Sequence, residues 1–168
     1  NNNIDDRFAV HIDGDNPAAS TVTLQIIGAQ VTVDSLEIDE RDCFLQESST
    51  NFGIDGGPVN NDGTWKVNAE QIAYIRFSNS PVITQTGLLD FRDALGLSIG
   101  TQNGPVTIGP GQTLLGSPNL YLENAEIINQ GNIIYSGDGP WYIYPPSSGF
   151  ENSGIISCTG PGDLTFQS

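Results

Sequence analysis

His11 is the single histidine of the chain, so any catalytic apparatus that needs an imidazole base must be built on it. It stands in Val10-His11-Ile12, an alternating position that reads as a solvent-facing strand residue. No Gly-x-Ser-x-Gly elbow, no phosphate-cradling Gly-rich loop ending in Lys-Ser/Thr and no dinucleotide fingerprint accompanies it. Carboxylate pairs are the remaining candidate chemistry. Asp90 and Asp93, with Arg92 between them, carry the groups used in acid–base cleavage of a glycosidic bond. A lyase acting on uronates also needs cations, and Arg7, Arg41, Lys66, Arg76 and Arg92 are all the chain has. Against 20 Asp plus Glu they leave a formal charge of −15, a field that repels polyanionic sugars, phosphate backbones and anionic headgroups alike. The expectation is a protein that is not an enzyme and binds no nucleic acid.

The acidic residues suggest a different ligand. Asp13-Gly14-Asp15-Asn16 places alternate oxygens on a turn, which suits Ca²⁺, and Asp13, Asp15 and Asn16 are the candidate metal ligands. Asp39-Glu40-Arg41-Asp42 is a second acidic turn, and neither completes an EF-hand loop. Solvated turns are the plain alternative, so the expected cofactor is none or Ca²⁺. Cys43 and Cys158 lack the close Cys or His neighbours of a zinc site. They read as a disulfide, within the chain or to a neighbouring copy, or as two buried thiols. Residues 139–150 crowd Trp141, Tyr142, Tyr144 and Phe150 beside three prolines. This reads as an aromatic, Pro-rich loop leaving the body, an interaction surface for sugar rings or a neighbouring subunit, or a flap over the core.

The elements that must carry these residues are short strands. Alternation with period two marks Val22-Thr23-Leu24-Gln25-Ile26, Val31-Thr32-Val33, Leu36-Glu37-Ile38, Trp65-Lys66-Val67 and Leu120-Tyr121-Leu122. The 20 Gly and 10 Pro fall between such runs and keep them short. Helical spacing occurs once, over residues 88–95, where a turn of helix and a strand are equally compatible. Asn-x-Gly entering an apolar strand recurs at Asn61, Asn129 and Asn152, and Gly87 and Gly109 fill the intervening places of a period of roughly 23 residues. Before residue 60 the period is not visible.

Several short strands per period of this length are what one coil of a parallel β-helix requires. Gly and Asn turn corners in the left-handed region, and Asn side chains on successive coils can hydrogen-bond as a ladder. The predicted fold is therefore all-β, a right-handed parallel β-helix or solenoid. An antiparallel β-sandwich or jelly roll fits length and strand density equally well, and only the repeat separates the two. Residues 1–168 form one domain, with 1–6 a flexible or strand-donating arm.

The runs from Leu120 to Ile134, Phe150 to Ile156 and Val59 to Val67 resemble the degenerate coils of bacterial secreted β-helix proteins, the passenger regions of autotransporter-type adhesins. The resemblance covers about a third of the chain. It implies an extracellular scaffold or adhesin and carries no catalytic residues to transfer. A chain that lacks Met reads as processed, in keeping with secretion, and no run approaches the ~20 apolar residues of a membrane span. The expectation is a secreted or cell-surface structural protein, self-associating into a filament or binding surface glycans. The alternative is a calcium-dependent carbohydrate-binding β-sandwich.

Overall fold

The computed structural model describes residues 8–12, 17–25, 30–47, 51–123 and 126–167. The first coil comprises β1 (Ala9–Ile12), β2 (Thr21–Gln25) and β3 (Gln30–Val33), and the second β4 (Ser35–Ile38), β5 (Cys43–Glu47) and β6 (Asn51–Ile54). The two that follow are β7 (Val59–Asn61) with the long β8 (Thr64–Phe77), then β9 (Val82–Thr84) with the long β10 (Leu88–Thr101). Above them stand β11 (Val106–Ile108), β12 (Thr113–Leu115) and β13 (Asn119–Glu123), then β14 (Ile127–Asn129), β15 (Asn132–Tyr135) and β16 (Trp141–Tyr144). The last coil is β17 (Phe150–Asn152), β18 (Ile155–Cys158) and β19 (Leu164–Phe166).

Every pairing among them is parallel and joins a strand to its counterpart one coil away. The result is a β-solenoid whose seven stacked levels climb through about 6 turns with coils of ~23 residues, and the sandwich alternative falls away. The first face stacks β1, β4, β7, β9, β11, β14 and β17. β8 and β10 bend through a corner, so each supplies both remaining faces. The second face runs from β2 and β5 to β12, β15 and β18, and the third from β3 and β6 to β13, β16 and β19.

That corner explains the helical spacing at residues 88–95, which lie in β10. Leu89 and Phe91 point inward, the register then shifts between Asp90 and Asp93 and again between Ala94 and Gly96, and Leu97 and Ile99 point inward beyond it. Two irregularities in an alternating strand reproduce the three-residue steps of a helix.

The interior is a continuous apolar column. Phe44, Phe52, Trp65 and Phe91 pack tilted or edge to face with centroids 5.0 to 6.3 Å apart, geometries that suit the ring quadrupoles. Higher up, Tyr135 stacks on Trp141 at 5.4 Å. Residues 139–150 do not form a loop leaving the body. Trp141 and Ile143 continue the inward alternation as β16 with neither exposed, and Pro145-Pro146 falls at the corner after the strand, where no ladder donor is required.

The repeat is carried by one corner column. In register with one another stand Asp42, Gly63, Gly87, Gln112, Gly131 and Gly154, each bonding through its carbonyl or the following amide to the next coil. Gly87 occupies the place expected for it, whereas Gly109 does not. Gly109-Pro110-Gly111 makes a wider corner, anchored by Gly109 N–H to Ile83 C=O, and Gln112 takes the glycine column instead. The Asn ladder forms between Asn129 and Asn152, Nδ2 to Oδ1 at 2.6 Å.

Candidate functional site

The structure separates Cys43 from Cys158. Cys43 alternates with the buried Phe44 and so faces outward on the second coil, while Cys158 is in register with the buried Tyr135 and faces inward on the last. Five coil steps of about 4.8 Å lie between their levels, far beyond the ~7 Å Cα separation a disulfide tolerates. An intrachain bond is thus excluded, and Cys158 Sγ reaches Gly162 C=O at 3.1 Å. Burial pushes the Cys43 thiol up, and the charge of Lys66 acts against it.

Asp13, Asp15 and Asn16, the calcium candidates, lie outside the described residues, as does the arm 1–6. In the second acidic turn Asp42 is buried and its Oδ1 accepts the Ser20 N–H at 2.7 Å, a corner contact between coils. Its neighbour Arg41 adopts φ 78° to make that turn.

The carboxylates singled out for acid–base chemistry are both tied to cations. Asp90, its side chain 8 % exposed, receives Arg92 Nε and Nη2 at 2.8 Å each. The hydrogen bonds from Arg92 hold the Asp90 carboxyl below its ordinary range. Asp93 meets Lys66 Nζ at 2.7 Å on the same outer face. His11 stands on the outer side of β1, its side chain 53 % exposed, with Nε2 3.2 Å from Asp39 Oδ2 and 4.0 Å from Glu37 Oε2.

Of the aromatic group expected at a surface, Trp141 belongs to the core. Tyr142 and Tyr144 face outward on the third face, half-buried, and Phe150 packs partly against the column and 6.0 Å from Phe166. Tyr144 stacks on Tyr121 at 4.5 Å with the rings 12° from parallel. Sequence reasoning missed the larger assembly to which this pair belongs. Tyr74, Ser98, Tyr121 and Tyr144 are consecutive members of one outer column. Where Ser98 leaves a ring missing, Arg76 lays its guanidinium 5.0 Å from the Tyr74 centroid and donates to Ser98 Oγ at 3.0 Å. The signal was available, since Tyr121 and Tyr144 are one coil apart in sequence. Burial, then the neighbouring Tyr144, pushes the Tyr121 phenol up.

A recess of about 310 Å³ lies at the corner between the third and first faces beside Gly56, Pro58, Asn79 and Pro81, and no titratable side chain lines it.

The two ends of the column are the remaining feature. Among the described residues the strands of the first and last coils each pair on one side only. Leu97, Leu120 and Ile143 are fully buried in one inward column, yet the next member, Phe166, is 50 % exposed. Val22 at the opposite end, in register with the buried Phe44, is 43 % exposed. Val10, Leu24 and Val31 below, and Phe150, Ile156 and Leu164 above, are likewise only partly covered. No helix among the described residues is long and apolar enough to cross a membrane. Compared with protein-family models, curated proteins and solved structures, the chain finds no match in any of the three.

Proposed function

We propose that this chain is an extracellular structural and adhesive module, which lengthens by stacking a second copy of itself on the ends of its column. The observation that carries this reading is the pair of open ends. Among the described residues, each presents strand edges paired on one side only around a partly exposed apolar interior, and both have the same three-sided outline. A further parallel rung satisfies the edge hydrogen bonds and covers the interior together, as β-augmentation does elsewhere. Contacts between unlike ends do not close into a ring and so generate an open filament.

Placement outside the cell is supported by composition and by the coil resemblance to secreted β-helix proteins, and surface glycans are the second class of partner the reading admits. Charge opposes association, because copies carrying −15 repel one another until salt shortens the Debye length to ~10 Å or less. Light scattering and negative-stain microscopy across a salt series test the proposal. Rods lengthening with ionic strength are expected, and Phe166→Lys at one end or Val22→Lys at the other should hold the protein monomeric. A monomer at every salt concentration would sink the filament reading.

A further inference from the structure

The stacking of β1 on β4 brings together three side chains that are far apart in sequence. His11 and Glu37 are direct register partners, and Asp39 lies two residues beyond Glu37 on the same outer face. Their candidate ligand atoms, one imidazole nitrogen and two carboxylate oxygens, all lie within 4.8 Å of one another. Around one tetrahedral ion bound at 2.0–2.2 Å, ligand atoms sit about 3.3–3.6 Å apart. The separation of 3.2 Å between His11 Nε2 and Asp39 Oδ2 is close to that requirement. Glu37 Oε2, at 4.0 Å from the same nitrogen, needs only a small rotation of a half-exposed side chain. The backbone beneath is fixed, with Asp39 N–H bonded to Ile12 C=O at 3.2 Å.

We propose that His11, Glu37 and Asp39 bind a divalent first-row transition ion, with Zn²⁺ as the probe. The nitrogen donor sets the preference. Ca²⁺ and Mg²⁺ favour all-oxygen shells of six or more ligands, whereas one imidazole with two carboxylates suits Zn²⁺ and its neighbours. Three protein ligands leave positions for water, so the ion sits at the surface with open coordination sites. Its immediate effect is to staple the first coil to the second, since His11 belongs to one and both carboxylates to the other. The strong negative charge of the chain raises the local cation concentration. This inference stands apart from the end-to-end reading, because it concerns a lateral face and needs one copy only.

His11 being the only histidine, its imidazole C–H resonances report the site without ambiguity. The test titrates Zn²⁺ alone into the full chain, with Ca²⁺ and Mg²⁺ in parallel. One saturable site on the His11 ring is expected at micromolar Zn²⁺, with no response to the other two ions at the same concentrations. Glu37→Gln and Asp39→Asn should each weaken it at least tenfold, and His11→Gln should abolish binding by calorimetry. All three side chains are at least a third exposed, so the variants should keep the fold, as circular dichroism checks. An imidazolium–carboxylate pair only, seen as His11 resonances unmoved by millimolar Zn²⁺, overturns the proposal. So does affinity left unchanged by both carboxylate variants.

Discussion

Gln112 shows how much one side chain can settle inside a column. Its corner is wider than those at Gly63, Gly87, Gly131 and Gly154, and the fully buried amide folds inward to occupy the opening. Nε2 donates to the carbonyls of Asn61 and Thr84 at 2.7 Å each, and Oε1 accepts Asn61 Nδ2 at 3.0 Å. The bonds to Asn61 cross two coils, whereas a backbone ladder links only neighbours. Gln112→Leu keeps the volume and removes all three bonds; Asn61 C=O keeps Gly87 N–H at 2.7 Å and Asn61 Nδ2 keeps Leu88 C=O at 3.3 Å, while Thr84 C=O loses its side-chain donor. A hydrogen bond contributes a net of about 1 kcal/mol, so the loss of three should be about 3 kcal/mol. Urea unfolding measures it, and a change below 1 kcal/mol would mean that water replaces the amide.

At the scale of the element, spacing is decided by what the corner can hold. At Gly131 an added Cβ would lie 2.4 Å from Gln112 O and 2.5 Å from Gly109 O, both backbone atoms with nowhere to go. Gly139, at a corner of its own, would place its Cβ in open space. Gly131→Ala should therefore cost about 1–3 kcal/mol through overpacking, while Gly139→Ala stays within ~0.5 kcal/mol. Thermal melts of the two variants make the comparison, and equal melting points would refute the packing argument. This steric demand is also why the fold was legible: glycine before an apolar strand recurs wherever coils approach closely, so Gly63, Gly87, Gly131 and Gly154 marked the period. Gln112 broke the pattern because an amide can replace a glycine only through hydrogen bonds to coils that sequence does not place beside it. Residues 139–150 misled for another reason. Prolines adjacent to aromatics signal a loop, but only the inward alternation of Trp141 and Ile143 tells that the strand ends before Pro145. The His11, Glu37 and Asp39 cluster was invisible because the register that joins β1 to β4 falls where the repeat is weakest. The open ends belong to the stacking itself and have no motif.

For the molecule as a whole, quasi-one-dimensional stacking makes stability a matter of neighbours. A middle coil is held on two sides, an end coil on one, so opening costs least at the ends and most between them. The core follows the same gradient: Val59, Trp65, Leu97 and Leu120 are fully enclosed, while in the last coil Ile156 is only partly covered and Phe166 is 50 % exposed. Amide hydrogen exchange at low salt and low concentration should show this directly. Protection should peak in β7 to β13 and fall towards β1 to β3 and β17 to β19. Raising ionic strength screens the charge of −15 and lets a second copy occupy the ends. Protection of the two end coils should then rise with protein concentration while that of the middle coils stays unchanged, because only the ends gain a neighbour. Salt acting merely on self-repulsion within one chain would raise protection without any dependence on concentration. The concentration series at fixed salt separates these effects, and end coils that exchange at the same rate across it would show that nothing docks there.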